Sequence, residues 1–360
     1  MLNATSSRSL KPAKILIVGI GDLGSNIARL IVEGGYSSAC LLAGQSGAAA
    51  QWAQLLQICT GRDVRAAHVD GLDAETLKTL FTAFEPDLIV QCATLLSPFR
   101  LKEIGTPAAM AILKGGFALQ TAAQLPVIRA VMRARQSLGM TCPVINCSYP
   151  DVTNPILACE GLAPTCGIGN VANVALRFRQ FLPGAVNGDL RVIGHHSQLG
   201  YSLAGEPADI TTPVPLVYLD GRKLEARELL LKPGLQGGRT QNYLAAATIR
   251  PILEGLLDPE CAMETHAPGI DSLPGGYPVR FSGQKISLNL PESLSREEAI
   301  AFNTLSAAGD GVDHIAEDGT LFYTAKAKEA VAPYCHELAE PLHPEDLNRR
   351  LRVLQTACQS

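Results

Sequence analysis

The stretch "KILIVGIGDLGSNIARLIVEGG", residues 14–35, decides the reading of the fold. Residues 15–18 form a continuous apolar run, the pattern of a parallel strand buried on both faces. Gly19, Gly21 and Gly24 follow in GxGxxG spacing. Leu23, Ile27, Leu30 and Ile31 then recur at helical intervals. A glycine turn between a buried strand and an amphipathic helix places backbone N–H groups and a positive helix end in one spot. That spot suits the pyrophosphate of a dinucleotide.

The pattern continues outward. "ACLLAG" (39–44), "VRAAHV" (64–69), "PDLIVQCA" (86–93) and "CPVINCSY" (142–149) read as further strands. "AAQWAQLLQIC" (49–59), "DAETLKTLFTAF" (73–84, capped near Asp73 or Thr76) and "LPVIRAVMRARQSLG" (125–139) read as the helices between them. Alternating strands and helices predict an α/β, Rossmann-type doubly wound parallel sheet. Beyond residue 150 the pattern predicts a second α+β domain with an antiparallel sheet. Its parts are a helix at 170–182, the strand "DLRVIG" (189–194) and "VPLVYLDGRKL" (214–224) with a turn at Asp220–Gly221. A long helix at 241–257 and strands at 262–267 and 284–290 follow. Last comes a helix from 295 opened by the box Ser295–Glu298. The expected boundaries are a flexible arm 1–13, a dinucleotide-binding domain 14–150, a substrate or assembly domain 151–325 and a helical, charged tail 326–360.

The 360 residues are 47% hydrophobic and 18% charged, with net charge −4, which argues against a nucleic-acid partner. No apolar run is long enough to span a bilayer, and the first residues lack a secretory apolar stretch, so a cytoplasmic location without a membrane partner is expected. The ten cysteines show no zinc spacing and read as free thiols in a reducing compartment; no metal is expected.

The cofactor side of the site is read as Gly19, Ile20, Gly21, Asp22, Leu23 and Gly24 of the loop. Gln45 and Ser46 after the second strand, Cys92 in the fourth and Asn146 in the fifth complete it. The second strand ends "LLAGQSG", with no carboxylate to bind a ribose 2′-hydroxyl and none to repel a 2′-phosphate. NADP is therefore expected ahead of NAD, with Arg62 and Arg65 within reach in sequence.

"GHHSQLG" (194–200) closes the strand "LRVI" with two adjacent histidines. A metal pair, a structural pair and one catalytic histidine are the three readings. Neighbouring strand residues point to opposite faces, which weighs against a shared ion. Histidine suits proton transfer near neutral pH, and His196 is the choice for acid/base. Tyr149 and Asn146 end the fifth strand, where α/β folds bind ligands. Asp310 and Asp313 in "GDGVDHI" read as an exposed turn.

"CGIGNVANVALRFRQFL" (166–182) followed by "RVIGHHSQLG" (191–200) resembles the lactate/malate dehydrogenase superfamily. "GGRTQNYLAAATIRPILEGLL" (237–257) and the segment 273–307 follow in that family's order. The resemblance implies a hydride-transferring oxidoreductase acting on a small molecule, assembled as a homodimer or homotetramer. It places His196 at the catalytic histidine and Asn173 where the family has the aspartate that pairs with it. The family's substrate arginine falls on Leu176, with Arg177 one position away, and 118–126 carries no arginine for the mobile loop. The resemblance places Thr240 against the substrate; Arg239 beside it reads either as an anion anchor in place of the missing arginines or as a solvated surface arginine. The N-terminal half also resembles saccharopine-dehydrogenase-type NADP domains, through "LLAGQS" and the segment from His68 to Ala93. The expected activity is hydride transfer to or from a carbonyl, hydroxyl or imine. The alternatives are an opine- or saccharopine-type enzyme acting on a C–N bond and a catalytically silent dinucleotide-binding protein.

Overall fold

The computed structural model describes residues 12–45, 47–69, 72–182, 184–200, 213–227 and 240–359. Residues 1–11 of the expected arm lie outside them, as do Ser46 and Arg239, whereas Ala13, expected in the arm, opens the first strand.

The first strand, β1 (Ala13–Val18), is buried except at Lys14 and runs into the glycine loop and α1 (Asp22–Glu33). β2 (Ser37–Gly44), α2 (Ala48–Thr60), β3 (Val64–His68), α3 (Ala74–Phe84) and β4 (Leu88–Gln91) follow. Asp73 caps α3 by accepting from the backbone of Glu75 and Thr76, as its sequence predicts. After β4 come α4 (Pro98–Ile104), α5 (Pro107–Gly115) and α6 (Thr121–Ser137), then β5 (Val144–Asn146), α7 (Pro150–Cys159) and β6 (Cys166–Gly167). The six strands are parallel, in the order β3-β2-β1-β4-β5-β6. That is the doubly wound Rossmann order. Strand order reverses between β1 and β4, so a crevice opens at their carboxyl ends. The two-residue β6 leaves no periodic signal in the sequence.

The second half starts with α8 (Val171–Phe181) and β7 (Leu190–Ile193), which joins β8 (Leu216–Leu219) and β9 (Arg222–Leu224) in an antiparallel sheet. The expected helix 241–257 is two helices, α9 (Thr240–Ala247) and α10 (Ile249–Leu257). They part at Thr248, whose hydroxyl donates to Ala245 O and accepts from Gly169 N–H, fastening the break to the end of β6. β10 (Ala262–Pro268), β11 (Gly276–Ser282) and β12 (Lys285–Leu288) form a second antiparallel sheet. β11 escaped the sequence reading because Gly276 and Pro278 look like turn residues. Next is α11 (Arg296–Ala307), opened by the Ser295–Glu298 capping box as expected. The hairpin β13 (Val312–Ile315) and β14 (Leu321–Tyr323) leads to α12 (Ala325–Val331) and α13 (Leu347–Ala357).

The last segment packs on the first half. Val331, Leu347, Leu351 and Leu354 are buried in the same core as Ile112, Ile128 and Val131 of α5 and α6. Arg350 is also buried, and its guanidinium donates to the carbonyls of Glu340 and Pro341. Among the described residues no helix is long and apolar enough to cross a membrane.

Candidate active site

A cleft of about 990 Å³ opens at the carboxyl ends of β1, β2, β4 and β5 and reaches the histidine turn of the second half. Its floor is the glycine loop. Gly19 donates to Ala43 O (2.8 Å) with φ +96°, and a Cβ there would lie 2.4 Å from Ala93 N. A Cβ on Gly24 would meet Gly19 O at 1.9 Å, so Gly24 serves packing, and it does not line the cleft. Gly21 differs: a Cβ there meets nothing within 4 Å and would enter the cleft. No side chain caps α1, and Ser25 N–H is the first to find a helical acceptor, Gly21 O. The N–H groups of Asp22, Leu23 and Gly24 therefore have no intrahelical partner, at the positive end of a twelve-residue helix. This geometry fits a pyrophosphate. The Asp22 carboxylate is engaged by α9, with Oδ2 accepting from Asn242 Nδ2 (2.6 Å).

The histidine turn forms because β7 stops at Ile193. Gly194 exchanges both backbone hydrogen bonds with Gly276, after which the chain folds into a 3-10 turn, His196–Gln198. Gln198 Oε1 accepts from His195 N–H, and His195 Nδ1 accepts from Ser197 N–H. The turn is fastened to the end of α11 through Ser197 Oγ, which donates to Ser306 O, and Gln198 Nε2, which donates to Ser306 Oγ. The backbone N–H of His196 donates to Oδ1 of the buried Asp151 (2.9 Å).

The side-chain partner of His196 is Asp310. Nδ1 lies 2.8 Å from Asp310 Oδ2, which also accepts from the Tyr149 hydroxyl (3.0 Å). A carboxylate only accepts, so Nδ1 carries the proton, and Nε2 is the ring position open to exchange. Phe117 and Tyr149 pack on the imidazole, with centroids at 4.5 and 5.1 Å. Burial opposes the imidazolium, but the charge and hydrogen bond of Asp310, with Asp151 behind, outweigh it; the His196 pKa is raised. Burial likewise opposes ionisation of Asp310, and here the two histidines and Tyr149 prevail, holding its carboxyl below the ordinary carboxylate value. Burial first, then the Asp310 charge, push the Tyr149 phenol well up, so it stays a neutral donor.

Several expectations change here. Asp310 is not an exposed turn. It ends the 3-10 turn Ala308–Asp310 that continues α11, and only 5% of it is exposed. Asp313 is exposed, as expected, and contacts His314. The two histidines do not face opposite ways, because the strand has ended: His195 Nδ1 also approaches Asp310 Oδ2, at 3.4 Å. His195 is fully buried, and that burial lowers its pKa. Asn173, expected beside the catalytic histidine, lines the cleft from α8 but does not pair with His196, whose carboxylate comes from the far end of the chain.

Asn146 is not a cleft residue. Its Nδ2 donates to Thr153 Oγ1 and Asn154 Oδ1, both at 2.8 Å, and its Oδ1 accepts from Ser148 N–H, all within the interior. Asn146→Ala is expected to cost about 1–3 kcal/mol of stability by stranding buried polar groups, read by denaturant unfolding, with the ligand affinity of the folded protein kept. Arg177 is also absent from the cleft lining. It is 6% exposed, with its guanidinium over the Phe181 ring at 4.9 Å. Thr240 is exposed at the start of α9, and Gln241 and Asn242 beside it reach the cleft instead. Gly19, Ile20, Gly21, Asp22, Leu23, Gln45, Cys92, Tyr149 and His196 do line it.

The sequence reading also missed Arg100. It lines the cleft from α4, beside Glu103 at 3.3 Å, and both side chains are exposed. The signal was its position, in the first helix after β4, capped by Ser97, rather than in 118–126. Asp151 and Phe117 carried no such signal.

No family matches the chain by sequence, and no curated protein does. Solved structures match by shape. One is a lactate dehydrogenase from a Medee basin deep-sea metagenome library, 16% identical, with a TM-score of 0.51 over 83% of this chain and 96% of that one. A lactate dehydrogenase from Eimeria maxima with NADH and oxamate is 16% identical (TM-score 0.45; 83% and 92% covered). A minor L-lactate dehydrogenase from Enterococcus mundtii is 14% identical (TM-score 0.46; 82% and 96% covered). At such identities, the first of these shows the fold: a doubly wound sheet joined to a domain with antiparallel sheets.

Proposed function

We propose that the chain is a nicotinamide-dinucleotide-dependent oxidoreductase in which His196, held by Asp310, is the acid/base. One observation carries this reading. The uncapped helix end over the open Gly21 and the His196–Asp310 pair line the same cleft. A bound nicotinamide dinucleotide supplies or accepts the hydride. Gly21 gives its pyrophosphate backbone access, and the first N–H groups of α1 bind it. In the reducing direction the His196 imidazolium donates its Nε2 proton to the oxygen or nitrogen of a small carbonyl or imine, and Asp310 stabilises the cation until that proton leaves. Tyr149 keeps the carboxylate in place. Arg100 offers a charge-assisted bond to an anionic group of the substrate. Asp310 supports the catalytic reading over the silent one, because it supplies from another element the carboxylate that Asn173 lacks.

At the Gln45 end the described lining carries no carboxylate, which leaves room for the extra phosphate of NADP. Arg65 is taken by Asp63 and Arg62 lies against Gly35, so neither lines the cleft. The NADP preference therefore rests on the absence of repulsion.

The test is steady-state oxidation of NADH and NADPH by small oxo acids and imines, followed by absorbance with parallel fluorescence titration. Saturable binding and turnover are expected. Because reduction needs imidazolium and the His196 pKa is raised, the rate should hold below that pKa and fall as pH rises through it. Asp310→Asn should move this limb to lower pH. No saturable binding of either dinucleotide would overturn the proposal.

A further inference from the structure

Cys92 and Cys147 play no part in the proton transfer described above, yet both line the cleft. They directly follow Gln91 and Asn146, the last paired residues of β4 and β5, so they stand side by side at the ends of adjacent parallel strands. Both backbones are held: Cys92 N–H donates to Val18 O and Cys147 N–H to Gln91 O. Their sulfurs are 3.6 Å apart. Neighbouring strands lie about 4.8 Å apart, inside the Cα separation of about 4.4–6.8 Å that a disulfide bridges. Closure asks the two sulfurs to approach from 3.6 Å to the S–S bond length of about 2.05 Å.

We propose that Cys92 and Cys147 form a modification site, a dithiol that small organic disulfides oxidise to an intramolecular disulfide in the cleft wall. Burial and the neighbouring thiol push the Cys147 thiol well up, so it stays protonated and Cys92 reacts first. The Cys92 thiolate attacks R–S–S–R, forming a mixed disulfide and releasing one RS⁻. Cys147 then gives up its proton, attacks the Cys92 sulfur and expels the second RS⁻. Two protein thiols lose two hydrogens, and the small disulfide becomes two thiols. Cys166, buried on β6 beside Ile145, lies deeper in the sheet and takes no part. Cys92 also packs against the glycine loop: a Cβ on Gly24 would sit 3.3 Å from Cys92 Cβ. Both cysteines line the same cleft as Gly19, Ile20 and Gly21, so a dinucleotide in that cleft and the small disulfide compete for one space; this coupling rests on the dinucleotide reading.

The experiment incubates the reduced full-length protein with oxidised glutathione, with and without saturating NADH. Non-reducing peptide mapping by mass spectrometry follows. A linked Cys92–Cys147 peptide short of two hydrogens is expected, lost in Cys92→Ser and in Cys147→Ser and kept in Cys166→Ser. Closure should slow about tenfold with NADH, within the usual range of coupling between two sites. Stable glutathione adducts without the link, or a link to another cysteine, would overturn the dithiol. An unchanged closure rate while NADH binds saturably would overturn the coupling. Failure of both NADH and NADPH to bind would overturn the dinucleotide reading, and the linked peptide would still decide the dithiol.

Discussion

Replacing His196 with asparagine is expected to lower turnover by about 10²–10⁴-fold, the contribution usual for a positioned general acid or base. Asparagine keeps a polar group beside Asp310 but carries no exchangeable proton at the place of Nε2. Dinucleotide affinity should be unchanged, because the glycine loop is built by β1, α1 and the end of β4. His195→Asn should cost less. Its Nδ1 accepts from Ser197 N–H, its Nε2 is buried, and burial keeps the ring neutral, so it does not exchange protons with the cleft. Wild-type turnover in His196→Asn, measured with the substrate found by the dinucleotide assay, would remove His196 from the reaction.

Gly21→Val is expected to abolish dinucleotide binding while leaving the fold intact. The backbone at Gly21 is extended, at φ −84° and ψ −162°, which a β-branched residue adopts without strain. The added Cβ meets no protein atom within 4 Å, so the side chain occupies the space in front of the first N–H groups of α1. The neighbouring glycines predict the opposite phenotype. A Cβ on Gly19 or Gly24 runs into backbone atoms, so alanine at either position disturbs folding. Fluorescence titration and thermal unfolding separate the two classes. Unchanged NADH affinity in Gly21→Val would place the ligand elsewhere.

These outcomes depend on features of unequal visibility in the sequence. The apolar run 15–18, the glycine spacing and the helical period after it are local, and local patterns fix β1, the loop and α1. Asp73 and the Ser295–Glu298 box are also local, and they cap the helices they precede. Asp310 was invisible for the converse reason. It meets His196 across 114 positions, and "GDG" is the same string whether it ends in solvent or under an imidazole. Its burial comes from α11 docking on the histidine turn through Ser306, which no period in either segment encodes. Asn146 shows the reverse error. An amide at a strand end has the look of a ligand contact, and only the positions of Thr153 and Asn154 show that its valences are already filled. The resemblance in 166–200 pointed to His196 and Asn173 together; both line the cleft, but the carboxylate beside His196 is Asp310, from a different element.

The pairing of His196 with Asp310 is the centre of the account, and the imidazole titration measures it directly. Resolving the His196 ring by NMR in the wild type and in Asp310→Asn gives its pKa with and without the carboxylate. The account predicts a wild-type value above the ordinary 6.5 and a fall in Asp310→Asn, where burial acts unopposed by that charge. A His196 ring that titrates at or below 6.5 in the wild type and does not move in Asp310→Asn would contradict it.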